Sequence, residues 1–196
     1  MDKGLLEMRI ICVNTGTKFA SWYTRNLKHM IDTYSGLKYD EFVVIGTENY
    51  KGVFNKLQMF DIYRNGENLY FDLDICIYGK VPNLIRKDLT VLNAWWRDRE
   101  HTSFNSSIIS WTGDQSHIYE TFKKDPNMWQ KKYYRGIDQM LEENFKVATY
   151  DKVCYSIKEN EYEPRDDNYS IVLFNQKQYL MEAGWSGWWT NYFLSK

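Results

Sequence analysis

Three cysteines, at positions 12, 76 and 154, are too few and too far apart for a disulfide framework, and no Cys-x-x-Cys is present to seed a cysteine zinc site. That scarcity fits a reducing compartment. Histidine is equally sparse: His29, His101 and His117 are scattered, with no pair at metal-ligand spacing, which argues against a zinc-protease type of centre. There is no apolar run of 18 or more residues to span a bilayer. Residues 1–9 lack the basic-then-apolar pattern of a signal peptide. Charge of one sign is missing too, since 25 Lys+Arg against 26 Asp+Glu leave a net charge of −1 and nothing points to a nucleic-acid partner. These absences describe a soluble, cytoplasmic protein, and a length of 196 residues is most simply one domain, residues 1–196.

Several catalytic signatures are also missing. No Gly-x-Gly-x-x-Gly follows the first apolar segment and no Gly-x-x-x-x-Gly-Lys-Ser/Thr occurs, so neither a dinucleotide fingerprint nor a P-loop is present. No Gly-x-Ser-x-Gly elbow supports a serine hydrolase. What is abundant is aromatic: 17% of residues, with 8 Trp and 16 Tyr. Large rings mostly build cores, and the competing reading is a surface that stacks on sugars or bases.

Along the chain, residues 8–14 and 40–47 read as buried strands, with helical apolar spacing (Trp22, Tyr23, Leu27, Met30, Ile31) between them. Strand, helix, strand in that order is a βαβ unit and predicts a parallel sheet with a right-handed crossover. Such sheets bind ligands beyond the carboxyl ends of their strands, which puts residues 14–18 and 47–49 at the rim of one crevice. A second helical stretch covers 53–64, with Lys56 near its start. Further strands are expected at 89–93, 104–111, 153–157 and 170–174. Helices are expected at 117–124, ended by Pro126, and from about 134 through 143. A short helix or turn is expected at 81–84, polar loops at 98–102 and 159–163, and an aromatic tail closes the chain at 185–194.

The most informative stretch is residues 69–79, Leu-Tyr-Phe-Asp-Leu-Asp-Ile-Cys-Ile-Tyr-Gly. It reads as an apolar strand with Asp72 and Asp74 in its middle, both pointing to one side because strand side chains alternate. Buried carboxylates need a partner or a metal, and with no basic residue between them this pair invites a hard divalent cation. A site with two carboxylate ligands leaves coordination positions open for substrate phosphates.

This run resembles the Leu-Tyr-Leu-Asp-x-Asp signature of glycosyltransferases that use nucleotide-diphosphate sugars, more narrowly the family-8 (glycogenin-like) group and its small bacterial and bacteriophage relatives. Four further segments carry the likeness in the same order: Ile11-Cys12-Val13-Asn14-Thr15-Gly16-Thr17-Lys18-Phe19, Phe54-Asn55-Lys56-Leu57, Phe104-Asn105-Ser106-Ser107-Ile108-Ile109-Ser110-Trp111, and Gly136-Ile137-Asp138-Gln139. The resemblance spans roughly residues 8–190. It implies an α/β fold, a single Rossmann-like GT-A-type domain with a mostly parallel central sheet flanked by helices, and metal-dependent sugar transfer with retention of anomeric configuration. The donor would be a nucleotide-diphosphate sugar and the acceptor a glycan, lipid or protein.

By the same resemblance, Asp72 and Asp74 would hold Mn2+ or Mg2+. Val13, Asn14, Thr15, Thr17, Lys18, Thr47, Asn55, Lys56, Leu73 and Lys177 would bind the donor nucleotide and diphosphate. Asn105, Ser106 and Ser107 would contact sugar or acceptor, and Asp138 and Gln139 would form the catalytic pocket. One departure stands out. Family members carry a C-terminal His-x-x-Gly-x-Lys-Pro-type motif, and Asn175 stands here where its metal-binding histidine would be, although an Asn carbonyl can also ligate a hard cation. Two rival functions remain: a nucleotidyltransferase of related fold, which would release pyrophosphate, and a catalytically weakened sugar- or nucleotide-binding protein. The aromatic tail could also lie at a lipid interface, but only Lys196 supplies charge nearby, which favours packing against the domain.

Overall fold

Alternation of side chains along two strands decides how the chain is layered. In the computed structural model, which describes residues 7–96, 102–157, 165–175, 177, 179–182 and 187–194, Ile10 and Cys12 of β1 (Met8–Val13) and Leu69 and Phe71 of β3 (Glu67–Phe71) face one core. Ile11 and Tyr70, the residues between them, face the other. A sheet that buries both faces reads as a continuous apolar run and must be covered by helices on both sides.

The six-stranded sheet has the order β2-β1-β3-β6-β5-β7, where β2 is Glu41–Ile45, β5 Thr90–Asn93, β6 Phe104–Thr112 and β7 Ala148–Tyr150. β1 is parallel to β2 and β3, β5 is parallel to β7, and β6 runs antiparallel between β3 and β5. The sheet is therefore mixed but mostly parallel, as expected, with the βαβ unit built around α1 (Ser21–Met30). That helix buries Tyr23, Leu27 and Met30 along one stripe and continues as a wider turn over Ile31–Ser35.

The aspartate stretch is not one strand. β3 ends at Phe71, and the chain crosses to β4 (Ile75–Ile77) in a second sheet of order β4-β9-β8, with β8 at Tyr155–Ser156 and β9 at Ile171–Leu173. Asp72, Leu73 and Asp74 form the crossing, so the two carboxylates are aimed by a turn and not by the period of a strand. The apolar composition was read correctly; the break was not visible because Leu73 is itself buried in the first core.

On the opposite face lie a 3-10 helix Gly52–Leu57 running into α2 (Gln58–Ile62), then α3 (Ser116–Lys123), α4 (Pro126–Lys132) and α5 (Ile137–Asn144). Pro126 ends one helix and begins another. It occupies the first turn of α4, where its missing N–H costs nothing, and Asp125 caps that helix by accepting from Met128 N at 3.0 Å. Residues 81–84 form a loop. β7 escaped sequence reading because Ala148 and Thr149 are exposed and leave no alternating pattern.

The tail, including the short helix α6 (Tyr179–Glu182) and a 3-10 helix Trp188–Tyr192, packs back on the domain. Trp189 meets Phe174, Phe193 meets Trp22, and Leu194 N donates to Asn26 Oδ1 at 3.0 Å. No helix among the described residues is long and apolar enough to cross a membrane. The expectations for residues 98–101, 159–163, Gln176, Gln178 and Trp185 lie outside the described residues.

Candidate functional site

A cavity of about 290 Å³ opens beyond the carboxyl ends of β1 and β3, near the lower limit of small-molecule sites. Five separate segments supply its walls: Val13, Asn14, Thr15, Thr17, Lys18 and Phe19; Gly52, Val53 and Lys56; Asp72, Leu73 and Asp74; Asn105, Ser106 and Ser107; and Arg135 through Asp138. Tyr70, Trp96 and Asn175 complete it.

A bulge in β6 shapes the floor. Leu92 pairs with Asn105 and Val91 with Ile109, so residues 106–108 lack partners on β5. Ser106 N, freed from β5 there, is used by the site, and Ser107 O extends the pairing on the β3 side. Ser106 N donates to Asp138 Oδ1 at 3.0 Å, fixing α5's first turn to the sheet, and Ser107 O accepts from Asp72 N at 2.8 Å. Asn105 Oδ1 accepts from Ser107 N at 3.0 Å, which directs its amide group within the bulge.

Asp72, the first residue beyond β3, turns its carboxylate to the side on which Tyr70 lies. Its Oδ1 accepts from the Tyr70 hydroxyl at 2.5 Å and pairs with Lys56 Nζ at 2.7 Å. Lys56 is 7% exposed, also donates to Ser106 O at 3.2 Å and Ser106 Oγ at 3.3 Å, and stands over the Tyr70 ring. The carboxylate pair thus has a basic partner after all, sixteen positions back in the chain (72 − 56) and delivered by the 3-10 helix.

Asp74 is 9% exposed. Burial and the neighbouring Asp72 charge push its carboxyl above the usual carboxylate range, against the pull of Lys18 and Lys56. Its backbone carbonyl accepts from Phe174 N at 3.0 Å, which brings Asn175 beside it. Asn175 adopts a left-handed backbone (φ 46°), a conformation Asn tolerates. Its Nδ2 donates to Ser156 Oγ at 2.6 Å, leaving Oδ1 for the cavity. Cys12 lies behind the site. Burial first, then the Asp72 charge, push its thiol up to about 12, so it stays protonated and is no nucleophile.

Among the described residues no group of three or more His, Cys, Asp or Glu side chains is placed to hold a metal. The donors present are two carboxylates and one amide oxygen, a hard set that fits Mn2+ or Mg2+. A carboxylate as buried as Asp74, with another beside it, is where such an ion would be expected.

Four residues expected at the site lie outside the cavity walls. Thr47 is exposed and its carbonyl accepts from Gln58 Nε2 at 3.1 Å. Asn55 is fully buried, and both ends of its side chain are spent on the chain itself. Oδ1 accepts from Asn49 N and Tyr50 N, while Nδ2 donates to Tyr50 O and Gly52 O. Asn55 therefore holds the 47–52 connection in place. Gln139 donates to Glu143 Oε1 at 2.7 Å along the outside of α5, because one step past Asp138 rotates a helical side chain away from the cavity. Lys177 forms a turn with Phe174 O through its backbone. Conversely, Gly52, Val53, Trp96 and Arg135 line the cavity outside every motif segment, and Phe19, Tyr70, Gly136 and Ile137 line it from within motif segments, although no role was expected of them.

The chain, with its mostly parallel sheet and one antiparallel strand, β6, has the GT-A-type fold. Solved structures with this fold match the chain over most of its length. A glycosyltransferase involved in glycosylation of the PBCV-1 major capsid matches with a TM-score of 0.63 at 12% identity, covering 90% of this chain and 99% of that one. The galactosyltransferase LgtC, solved in complex with donor and acceptor sugar analogues, matches with a TM-score of 0.58 at 10% identity, covering 86% and 87%. The apo form of GlyE from Streptococcus pneumoniae TIGR4 matches with a TM-score of 0.64 at 12% identity, and this chain spans 61% of its length. No protein-family profile and no curated protein sequence matches this chain.

Proposed function

We propose that this protein transfers a glycosyl group from a nucleotide-diphosphate sugar to an acceptor hydroxyl, with a divalent metal and with retention of anomeric configuration. One observation carries the reading: a single cavity on a glycosyltransferase fold gathers both aspartates, the loop after β1, the β6 bulge and Asp138. LgtC, with the same fold, was solved with donor and acceptor sugar analogues.

In this reading the loop of Val13, Asn14, Thr15 and Thr17 holds the nucleoside. Asn14 is preset for it, since its side chain bonds Thr24 Oγ1 and accepts from Gly16 N. Asp72, Asp74 and Asn175 hold Mn2+ or Mg2+, which when bound supplies Lewis acidity toward the departing diphosphate. Lys18 and Lys56 bring positive charge to the same end of the cavity. Asn105, Ser106 and Ser107 bond sugar hydroxyls. Asp138, anchored by Ser106 N, faces the anomeric centre and stabilises the positive charge that develops there. The bond from anomeric carbon to diphosphate oxygen breaks, the bond to the acceptor oxygen forms, and the hydroxyl proton leaves with the diphosphate or to water.

The test is release of nucleoside diphosphate from a panel of nucleotide sugars with Mn2+ present. Release is expected to need metal and to fall at least about a hundredfold in Asp72→Asn and Asp74→Asn, since metal ligation in such sites is worth several kcal/mol. Wild-type-like release from both variants would remove the metal assignment, and pyrophosphate as product would point to nucleotidyl transfer. A second reading, a binding protein without turnover, is favoured by the position of Gln139 outside the cavity and by Asn175 in place of histidine. It is the answer if donors raise the melting temperature but no product forms.

A further inference from the structure

Lys56 is buried, yet its ammonium is directed at a carboxylate that the site would offer to a metal. The pair is close, 2.7 Å, and the ammonium is steadied by both oxygens of Ser106. Lys56 also lines the cavity, so the pair borders the space a ligand would fill.

Charge counting shows what this does. Asp72 and Asp74 face Lys56 and Lys18 at this end of the cavity, two charges of each sign. A divalent cation entering alone meets an ammonium already on its ligand. A diphosphate entering alone meets two carboxylates. A nucleotide-diphosphate sugar carries one negative charge on each phosphate, so metal and donor together add no net charge, and each relieves the repulsion the other meets.

We infer that Lys56 is an internal cation that competes with the metal for Asp72, so that the free protein binds divalent ions weakly and takes metal and donor diphosphate as a pair, with Lys56 passing from Asp72 to a phosphate oxygen. The inference rests on the donor class proposed above, but its metal half is independent of turnover. Lys56 has two opposite effects in this scheme: it weakens metal binding to the free protein and strengthens diphosphate binding. A residue that only held the fold would weaken both when removed.

Lys56→Met is therefore measured with two probes on the full chain, Mn2+ alone by electron paramagnetic resonance titration and uridine diphosphate alone by calorimetry. Mn2+ affinity is expected to rise by at least about tenfold, the lower end of what changes beside metal ligands produce, while the nucleotide binds more weakly. Lys56→Arg, which keeps the charge, is expected to bind Mn2+ as weakly as wild type. Lys56→Gln, which keeps a polar contact to Ser106, replaces the methionine variant if that one fails to fold. Unchanged, lower or undetectable Mn2+ affinity in the neutral variants overturns the inference. A gain in Mn2+ affinity without sugar transfer from any donor leaves the competition standing and removes only the transferase reading.

Discussion

The two walls of the cavity are built by different means. The rim after β1 is partly to fully exposed, and its side chains bond mostly to near neighbours, Asn14 to Gly16 and Thr24, Thr15 to Thr17 at 2.9 Å. Two ties reach the end of β2, Asn14 N to Ile45 O at 2.9 Å and Thr17 Oγ1 to Glu48 Oε1 at 3.5 Å. The floor is buried and held by contacts from far along the chain: Lys56 to Asp72, Asp72 to Ser107, Ser106 to Asp138, Asp74 to Phe174. The rim has few such ties, whereas the floor joins five segments through buried contacts, and it is this wall that carries the carboxylates and the ammonium.

If that division is right, substitutions behind the floor cost more stability than any at the rim. Asn55→Ala tests the extreme case. It strands several buried backbone groups of the 47–52 connection, and a loss of about 3 kcal/mol is expected in urea denaturation. An effect near zero would show that this connection does not brace the Lys56 helix.

Tyr70→Phe removes one donor from Asp72 and leaves Lys56 in place. A hydrogen bond to a charged group is worth about 2 kcal/mol, and the same denaturation measurement reads it. A loss much greater than that would mean Tyr70 and Lys56 act as one unit.

Asp74 gives the floor a pH dependence. Its folded pKa lies above its unfolded one, so between those two values the folded protein binds the extra proton. Stability from protonated Asp74 is complete below the ordinary carboxylate value and is lost as pH rises through the raised one. In metal-free buffer, Asp74→Asn is expected to flatten the stability profile over that window and to exceed the wild type above it. An unchanged profile would place the charge cost elsewhere.

The smallest effect belongs to the rim. Thr15→Ala breaks an exposed hydroxyl contact, and its cost is expected to stay within about 0.5 kcal/mol, as for ordinary surface positions. A larger loss would erase the contrast between the walls.

Much of this was legible before any coordinates. Residues 8–14 are a near-continuous apolar run, and β1 is accordingly a central strand covered on both faces, parallel to β2 and β3. Residues 40–47 were expected to be buried in the same way, but β2 is the edge strand of the sheet, and Glu41 and Val44 are exposed. The carboxyl-end rule for parallel sheets placed residues 14–18 and 47–49 at one crevice; the loop after β1 lines the cavity, residues 47–49 do not, and the aspartate pair was joined to that loop by the family resemblance. Two of the residues expected at the site lie outside the cavity walls for equally plain reasons. Gln139 sits next to Asp138 in sequence, but a hundred degrees of helical turn separates neighbours, roughly, and only one of them can face the cavity. Asn55 was assigned to the donor by the resemblance alone, and its side chain bonds main-chain groups of its own loop. The aromatic excess was mostly core, Trp111 and Trp189 among the most buried side chains, with Trp96 and Phe19 on the cavity wall.

Sequence alone determined the layered α/β fold, the carboxyl-end crevice and the Asp72–Asp74 pair, because these follow from periodicity, connection order and the cost of burying charge. Tertiary structure decided that the pair lies in a turn between two sheets, that one bulged antiparallel strand supplies its backbone contacts, and that Lys56 neutralises Asp72. Those depend on which distant segments meet, and no local pattern encodes that.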